Sequence, residues 1–177
     1  MTISFKDNWG PMFFTFDNKN VYVSSNLNGR DKSAIAEWDI EGKKEIKEIY
    51  ADKDNDVDGL SYSEKRKVLT MVTWTGEKSE RHFLDDQTKK LYEGLEAQFP
   101  GMEVAVVNEN DEENKRTIWG GSDKVTGRFY YHDDASGKAT LLADRTPWLK
   151  ESDMATMEPG RDPESDIEAL QHELAQY

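Results

Sequence analysis

Runs of alternating apolar and polar residues recur along most of the chain, and short turns rich in Asp, Asn, Gly and Lys separate them. Strict alternation places every second side chain on one face of an extended strand. Ala34, Ala36, Trp38 and Ile40 show this pattern most clearly. The pattern predicts strands at residues 21–25, 33–40, 45–50, 57–62, 68–74, 80–85, 102–107, 117–121, 128–132 and 138–143.

Two series of charged turns repeat along the chain with one period. The first series lies at residues 17–21, 64–68 and 113–117, and the second at residues 39–43, 85–89 and 134–138. Both advance by about 46 to 49 residues, which lies in the range of β-propeller blades. We therefore expect a mainly β fold, a partial propeller over residues 1–159. Its three antiparallel blades should span residues 10–50, 57–99 and 102–145, each combining three strands of its own with one from a neighbouring unit.

Two segments depart from the strand pattern. Leu91, Leu95 and Phe99 are spaced four residues apart, and Pro100-Gly101 follow, so a short helix is predicted near residues 88–99. A second helix is predicted within residues 160–177. Its start is indicated by a capping residue, Asp162, followed by Pro163. Its apolar face is indicated by residues spaced three and four apart, which are Ile167, Leu170, Leu174 and Tyr177. This tail is interpreted as a helix that docks on a sheet, as a tail of artificial origin, or as a dimer contact.

The composition is that of a folded, strongly hydrated protein. Only 36% of the 177 residues are hydrophobic, but 11% are aromatic, including five Trp, which argues against disorder. The formal net charge of −13 disfavours nucleic acid as a partner. There is no Cys, which excludes disulfides and thiolate chemistry. Because no signal peptide and no apolar stretch of membrane-spanning length are visible, we expect a soluble chain, cytoplasmic by default.

Residues 120–124, Gly-Gly-Ser-Asp-Lys, nearly match the G-x-S-x-G elbow of serine hydrolases, but Lys124 replaces the last Gly. The elbow needs a strand that turns into a helix, whereas a further β run follows here. Ser122, Asp133 and His172 have the order of a catalytic triad, but a chain this rich in Asp offers such an order easily. We interpret Ser122 as a turn residue.

An acidic loop and three histidines are the other candidates for chemistry. The loop partly matches a calcium-binding pattern, through Asp54, Asp56, Asp58 and Gly59, but the twelfth position is Lys65 instead of Glu. A solvated loop between blades explains it better. The histidines, at positions 82, 132 and 172, show no metal-binding spacing, and the first two fall on equivalent strands of neighbouring units.

Several segments resemble the propeller of the prolyl oligopeptidase family of serine peptidases, in its acylaminoacyl-peptidase-like branch. They are residues 13–26, 29–34, 56–63, 82–85, 147–149 and 154–159, so the resemblance covers residues 9–159. In that family the propeller caps an α/β-hydrolase domain, which carries a Ser-Asp-His triad and would lie downstream of these segments. The resemblance therefore implies no catalytic, cofactor-binding or metal-ligating residue in this chain.

The expected function is that of a non-catalytic propeller segment, which gates or orients peptide substrates for a hydrolase domain absent from this chain. The alternative is a free-standing, acidic protein-interaction module. A remote third hypothesis is a hydrolase that uses Ser122. Three blades are too few to close a propeller, so two sheet faces would be open. We expect homo-oligomerisation through these faces or through the C-terminal helix, or a helix that covers one face.

Overall fold

The computed structural model describes residues 4–76 and 78–157. They form eleven β-strands and one α-helix, followed by a single 3-10 turn at Glu151–Asp153. The first four strands are β1 (Trp9–Phe14), β2 (Asn20–Ser25), β3 (Ala34–Asp39) and β4 (Lys44–Tyr50). Next come β5 (Val57–Ser63), β6 (Val68–Thr75), β7 (Ser79–Phe83) and α1 (Asp86–Glu96). The last four are β8 (Glu103–Glu109), β9 (Lys115–Gly121), β10 (Arg128–Asp133) and β11 (Lys138–Asp144).

The strands form three antiparallel sheets, each made from one continuous stretch of chain. Sheet A has the order β1-β2-β3-β4, sheet B has β5-β6-β7, and sheet C has β8-β9-β10-β11. Within each sheet, consecutive strands of the chain pair with each other. The sheets begin at Trp9, Val57 and Glu103, at intervals of 48 and 46 residues. The mainly β fold and the repeat of β units are thus confirmed, whereas their arrangement as propeller blades stays a prediction.

Two details of the expected units are wrong. Among residues 4–76 and 78–157, no sheet takes a strand from a neighbouring unit, since sheets A and C have four strands and sheet B has three, each from its own segment. The extra strand of sheet A is β1, which the alternation pattern did not predict. Pro11 lies in this strand, and its pairing with β2 contains a register shift between Pro11 and Phe13, so the strand lacks regular alternation.

Turn residues with positive φ allow the tight connections between strands. Asn28 and Gly29, at φ 65° and 81°, form the predicted turn between β2 and β3. Gly137, at φ 62°, serves the hairpin between β10 and β11 in the same way. These residues adopt the left-handed region at low cost, so each meander can fold back after a few residues.

Sheets A and B pack face to face around a buried apolar core. Ile35, Val57 and Val72 are fully buried, and the ring of Trp74 stacks on Tyr50 with centroids 5.4 Å apart. Hydrogen bonds continue across the same junction, because the backbone N–H of Val57 donates to the carbonyl of Ser33 at 2.9 Å. The two sheets are therefore joined directly.

Helix α1 confirms the helix predicted near residues 88–99, and it lies where a fourth strand of sheet B would come. Its N-cap is Asp85, whose side chain accepts a hydrogen bond from the N–H of Thr88 at 2.9 Å. Its apolar side packs on sheet C in a second core formed by Leu95, Phe99, Val104 and Ile118. The helix therefore connects sheet B to sheet C.

The predicted helix within residues 160–177 lies outside the described residues. Within residues 4–76 and 78–157, neither helix is long and apolar enough to cross a membrane.

We predict that Ile35→Ala lowers the free energy of unfolding by about 3 kcal/mol, because it leaves a cavity between two packed sheets. Urea denaturation followed by circular dichroism measures this change. The matched control is Ile46→Ala in β4, where the side chain is 52% exposed and the expected loss is below about 0.5 kcal/mol. Equal losses at the two positions would contradict the packing described for sheets A and B.

Candidate functional site

A cleft of about 680 Å³ separates sheet B from sheet C. Its walls come from β5 and β6 on one side, from β8 and β9 on the other, and from the N-terminal half of α1. Its apolar lining is formed by Leu60, Met71, Leu91 and Val106, together with the exposed side chains of Tyr62 and Val107. This volume lies in the range of ligand-binding pockets, which are typically apolar with a few placed polar groups.

The cleft exists because sheets B and C are joined differently from sheets A and B. Sheets A and B touch through β2, β3 and β5, whereas the main contacts between sheets B and C run through α1. Tyr92 in α1 reaches across, and its hydroxyl accepts a hydrogen bond from the backbone N–H of Val106 at 3.2 Å. The helix thus holds the two sheets apart instead of letting them close on each other.

The turn between β8 and β9 closes one end of the cleft. Glu113 in this turn accepts hydrogen bonds from the Ser63 hydroxyl at 2.7 Å and from the Lys65 N–H at 3.1 Å. The ammonium of Lys65 donates to the carbonyl of Glu112 at 3.0 Å. Glu113 adopts a positive φ of 52°, so its backbone is held in a conformation that non-glycine residues rarely adopt. These contacts fix the β8–β9 turn onto the β5–β6 turn.

Arg66 connects this closed end to α1. Its Nη1 donates to Asp85, the N-cap of the helix, at 2.8 Å, and its Nη2 donates to the Thr88 hydroxyl at 3.3 Å. Its Nε lies 3.8 Å from a carboxylate oxygen of Glu113, is buried, and has no hydrogen-bond partner among the described residues. Arg66 lines the cleft through the rest of its side chain, whereas its Nε has almost no accessible surface and faces the carboxylate of Glu113.

A second arginine, Arg116, is buried in the opposite wall. Its Nε donates to Glu109 at 3.2 Å, its Nη1 to Asp134 at 2.5 Å, and its Nη2 to the carbonyl of Glu113. Only 6% of its side chain is exposed, so the three acceptors compensate the removal of the guanidinium from water. Arg116 therefore has a structural role and positions Glu109 at the cleft.

The pKa values of the carboxylates around the cleft are shifted in opposite directions. Burial raises the pKa of Glu109, the negative charge of Glu113 adds to this effect, and Arg116 opposes it. The pKa values of Glu113 and Asp85 are lowered, although burial acts to raise them. Hydrogen bonds from Ser63 and Lys65 lower the pKa of Glu113. Hydrogen bonds from Thr88 and Arg66 lower the pKa of Asp85. Glu109 is thus the cleft carboxylate whose pKa is raised, and its side chain remains 35% exposed.

The arrangement suits binding more than it suits bond cleavage. Arg66 and Glu109 both line the cleft, so its walls carry a guanidinium and a carboxylate beside the apolar residues. An extended peptide has carbonyl acceptors and N–H donors along its backbone, so it can pair with groups of both kinds. The apolar lining suits the side chains between successive amides.

Of the hypothetical triad, Ser122 and Asp133 lie at opposite ends of sheet C. Ser122 follows β9, and its hydroxyl accepts hydrogen bonds from the N–H groups of Lys124 and Val125, both at 3.2 Å. Asp133 lies at the other end of sheet C, where it pairs with Lys115 at the start of β9. His172 lies outside the described residues. Ser122 is therefore a turn residue, as the sequence indicates.

The acidic loop is a connection between sheets A and B. Asp52 accepts hydrogen bonds from the N–H groups of Asp54 and Asn55, and Asp56 accepts one from the N–H of Ser33 at 2.7 Å. Gly59 lies in β5, where a Cβ would be 1.8 Å from the Thr73 hydroxyl oxygen, so close strand packing explains this glycine. Across residues 4–76 and 78–157, no group of three or more His, Asp and Glu side chains is placed to hold a metal ion.

Two of the histidines lie on the third strand of their sheets, as the repeat predicts, but in different surroundings. His82 is exposed and stacks on Tyr50 with ring centroids 4.6 Å apart. His132 is buried, and its Nδ1 lies 3.5 Å from Asp134.

Arg66 and Arg116 were not predicted from the sequence as cleft residues. Both were part of the repeated charged turns, where Lys-Arg precedes a β run in the second and third units. This repeated Lys-Arg pair could have indicated the site, because an arginine beside an apolar strand needs carboxylate partners. Comparisons with protein-family models, with curated proteins and with solved structures found no match to this chain.

We predict that Asp85→Asn makes stability less dependent on acid pH. A carboxyl group whose pKa is lower in the folded state than its ordinary value of 3.8 stabilises the fold above that value, and this contribution is lost as the pH falls through the folded pKa. Asn keeps the N-cap acceptor but does not titrate. The free energy of unfolding, measured in urea between about pH 5 and pH 3, should therefore fall less in the variant than in the wild type.

The control for this experiment is Asp31→Asn, at a side chain that is 93% exposed. It should keep the wild-type dependence on pH. A wild-type slope in Asp85→Asn would show that the contacts with Thr88 and Arg66 do not stabilise the charged carboxylate.

Proposed function

We propose that this chain is a non-catalytic segment of a β-propeller of the prolyl oligopeptidase type, and that it holds an extended peptide in the cleft between sheets B and C. The observation that carries the proposal is the cleft itself, with its apolar lining and with the guanidinium of Arg66 and the carboxylate of Glu109 in its walls. In the parent protein the cleft would orient peptide substrates for a hydrolase domain outside this chain.

The architecture supports the propeller part of the proposal. Three consecutive up-and-down sheets start at nearly equal intervals, and sheets A and B pack face to face, as blades do. In sheet B, α1 takes the place of the outer strand and opens the gap to sheet C. The proposed peptide site is thus a local departure from regular blade packing.

The chemistry supports a role in binding. Ser122 is engaged in its own turn, and Asp133 accepts hydrogen bonds from the N–H of Ala135 and the hydroxyl of Tyr131. Neither group has a histidine as a hydrogen-bond partner among the described residues. The proposed role therefore needs no nucleophile from residues 4–76 or 78–157.

We predict that Val107→Trp weakens peptide binding by about tenfold or more, because a bulky ring at the cleft wall would occupy the space of the peptide. Val107 is 56% exposed, so the fold should tolerate the change. The probe is an array of N-acetylated pentapeptide amides, and calorimetry with the best binder then gives the affinity.

The matched control is Ile46→Trp, which places the same ring at an exposed position in sheet A. It should leave the affinity unchanged. If no peptide binds the wild type, or if both variants bind as the wild type does, the cleft is not a peptide site. Binding of a folded protein without binding of any peptide would favour the interaction module.

We also predict no turnover of N-acetyl-peptide p-nitroanilides by the isolated chain. The reason is that the Ser122 hydroxyl accepts hydrogen bonds within its turn, while Asp133 lies at the far end of sheet C. Release of nitroaniline is followed by absorbance, with Ser122→Ala as the comparison. Turnover that disappears in this variant would establish a hydrolase in place of a binding segment.

A further inference from the structure

Two edge strands form walls of the cleft. β5 is an end strand of sheet B and β8 is an end strand of sheet C, so each pairs with one neighbouring strand. Residues 60–63 of β5 and residues 106–109 of β8 line the cleft. The free side of an edge strand presents N–H and C=O groups that can pair with an added strand. A peptide can therefore pair with a cleft wall wherever these groups have no other partner.

Hydrogen bonds at both ends of the β6–β7 pair show which residues of β6 face β5. The N–H of Gly76 donates to the C=O of Lys78, and the N–H of Leu84 donates to the C=O of Thr70, both at 2.9 Å. Backbone groups alternate in direction along a strand, so the even-numbered residues of β6 bond to β7. Met71 therefore directs its backbone groups towards β5.

The free side of β5 is formed by Leu60 and Tyr62. Ser61 is the register partner of Met71, so the N–H and C=O groups of its two neighbours in β5 point away from β6. None of these four groups has a hydrogen-bond partner among the described residues. Leu60 packs against the core between sheets A and B, and the ring of Tyr62 lies 4.4 Å from that of Phe13. Both side chains are thus held towards sheet A.

The free side of β8 is different, because side chains already pair with it. The C=O of Val104 accepts a hydrogen bond from Nη2 of Arg81 at 3.0 Å. The N–H of Val106 donates to the hydroxyl of Tyr92 at 3.2 Å. Groups from β7 and α1 therefore occupy part of this edge, and β5 offers more free backbone groups to a ligand than β8 does.

The two ends of β5 limit the length of the free stretch. At the start, the N–H of Val57 donates to the C=O of Ser33 at 2.9 Å, and its C=O accepts from the hydroxyl of Ser24 at 3.0 Å. At the end, the hydroxyl of Ser63 donates to Glu113 at 2.7 Å. Residues 59–62 lie between these contacts and span about 14 Å, at about 3.4 Å per residue. The stretch therefore has room for a peptide strand of about four residues.

We propose that a peptide in the cleft adds to sheet B as a fourth strand, through hydrogen bonds with the backbone of Leu60 and Tyr62. This inference rests on the proposed peptide-binding function and specifies its ligand class. Sheet B has three strands, whereas sheets A and C have four. In strand addition, main-chain hydrogen bonds supply affinity and alternate side chains supply specificity. The ligands are therefore extended peptides that keep a free amide N–H at every second residue.

An N-methyl scan of the peptide tests this pairing without altering the protein. The starting ligand is the N-acetylated pentapeptide amide that binds best, and each analogue carries one N-methyl group on a different amide nitrogen. A strand added to β5 directs every second N–H towards it. In calorimetry, methylation should therefore lower the affinity about tenfold or more at alternating positions, and less than about threefold at the positions between them.

The outcomes of the scan separate this inference from the peptide-binding function. Losses at alternating positions support strand addition. Equal losses at every position, or no loss at any, overturn strand addition and leave peptide binding itself intact. If no peptide binds the wild-type chain, the proposed function fails, and the inference fails with it.

A pair of variants applies the same test from the side of the protein. Tyr62→Pro removes the outward N–H, and the fold should tolerate it because proline is accepted at the free side of an edge strand. Tyr62→Leu also removes the ring but keeps this N–H. We expect the Pro variant to bind the peptide about tenfold more weakly than the Leu variant, with urea denaturation showing that both are folded. Equal affinities of the two folded variants would overturn the proposal, and if the Pro variant does not fold, the N-methyl scan decides.

Discussion

Antiparallel sheets of three or four strands are stable only when their apolar faces are removed from water, and this constraint organises the whole chain. Sheets A and B satisfy it with each other, through Ile35, Val57, Val72 and Trp74. Sheet C satisfies it on one face with α1. The sheet faces that these two junctions leave uncovered determine which surface a partner would have to bury.

Helix α1 changes how the second junction is held together. Where sheets A and B rely on apolar contact, the closed end of the cleft relies on a charged network of Arg66, Asp85, Glu113 and Arg116. Buried ion pairs of this kind contribute little net stability but fix one geometry, because breaking a pair leaves a buried charge. The network therefore sets the width of the cleft more than it strengthens the fold.

The sequence predicted the strands well because alternation is a local signal. The run predicted at residues 57–62 became β5 (Val57–Ser63), and the spacing of Leu91, Leu95 and Phe99 correctly predicted α1. β1 was missed because Gly10 and Pro11 interrupt the pattern. The cleft could not be predicted, since it depends on Arg66 and Glu113, 47 residues apart, meeting across two turns. Spacing alone does not show which turns meet.

Without a ligand, the cleft lowers the stability of the folded state. Arg66 Nε is buried there without a hydrogen-bond partner among the described residues, burial raises the pKa of Glu109, and Val107 is exposed in the wall. Apolar residues in place of the charged pairs, with direct contact between the sheets, would avoid each of these costs. Local departures from optimal packing and hydrogen bonding concentrate at functional sites. A ligand is therefore expected in the cleft.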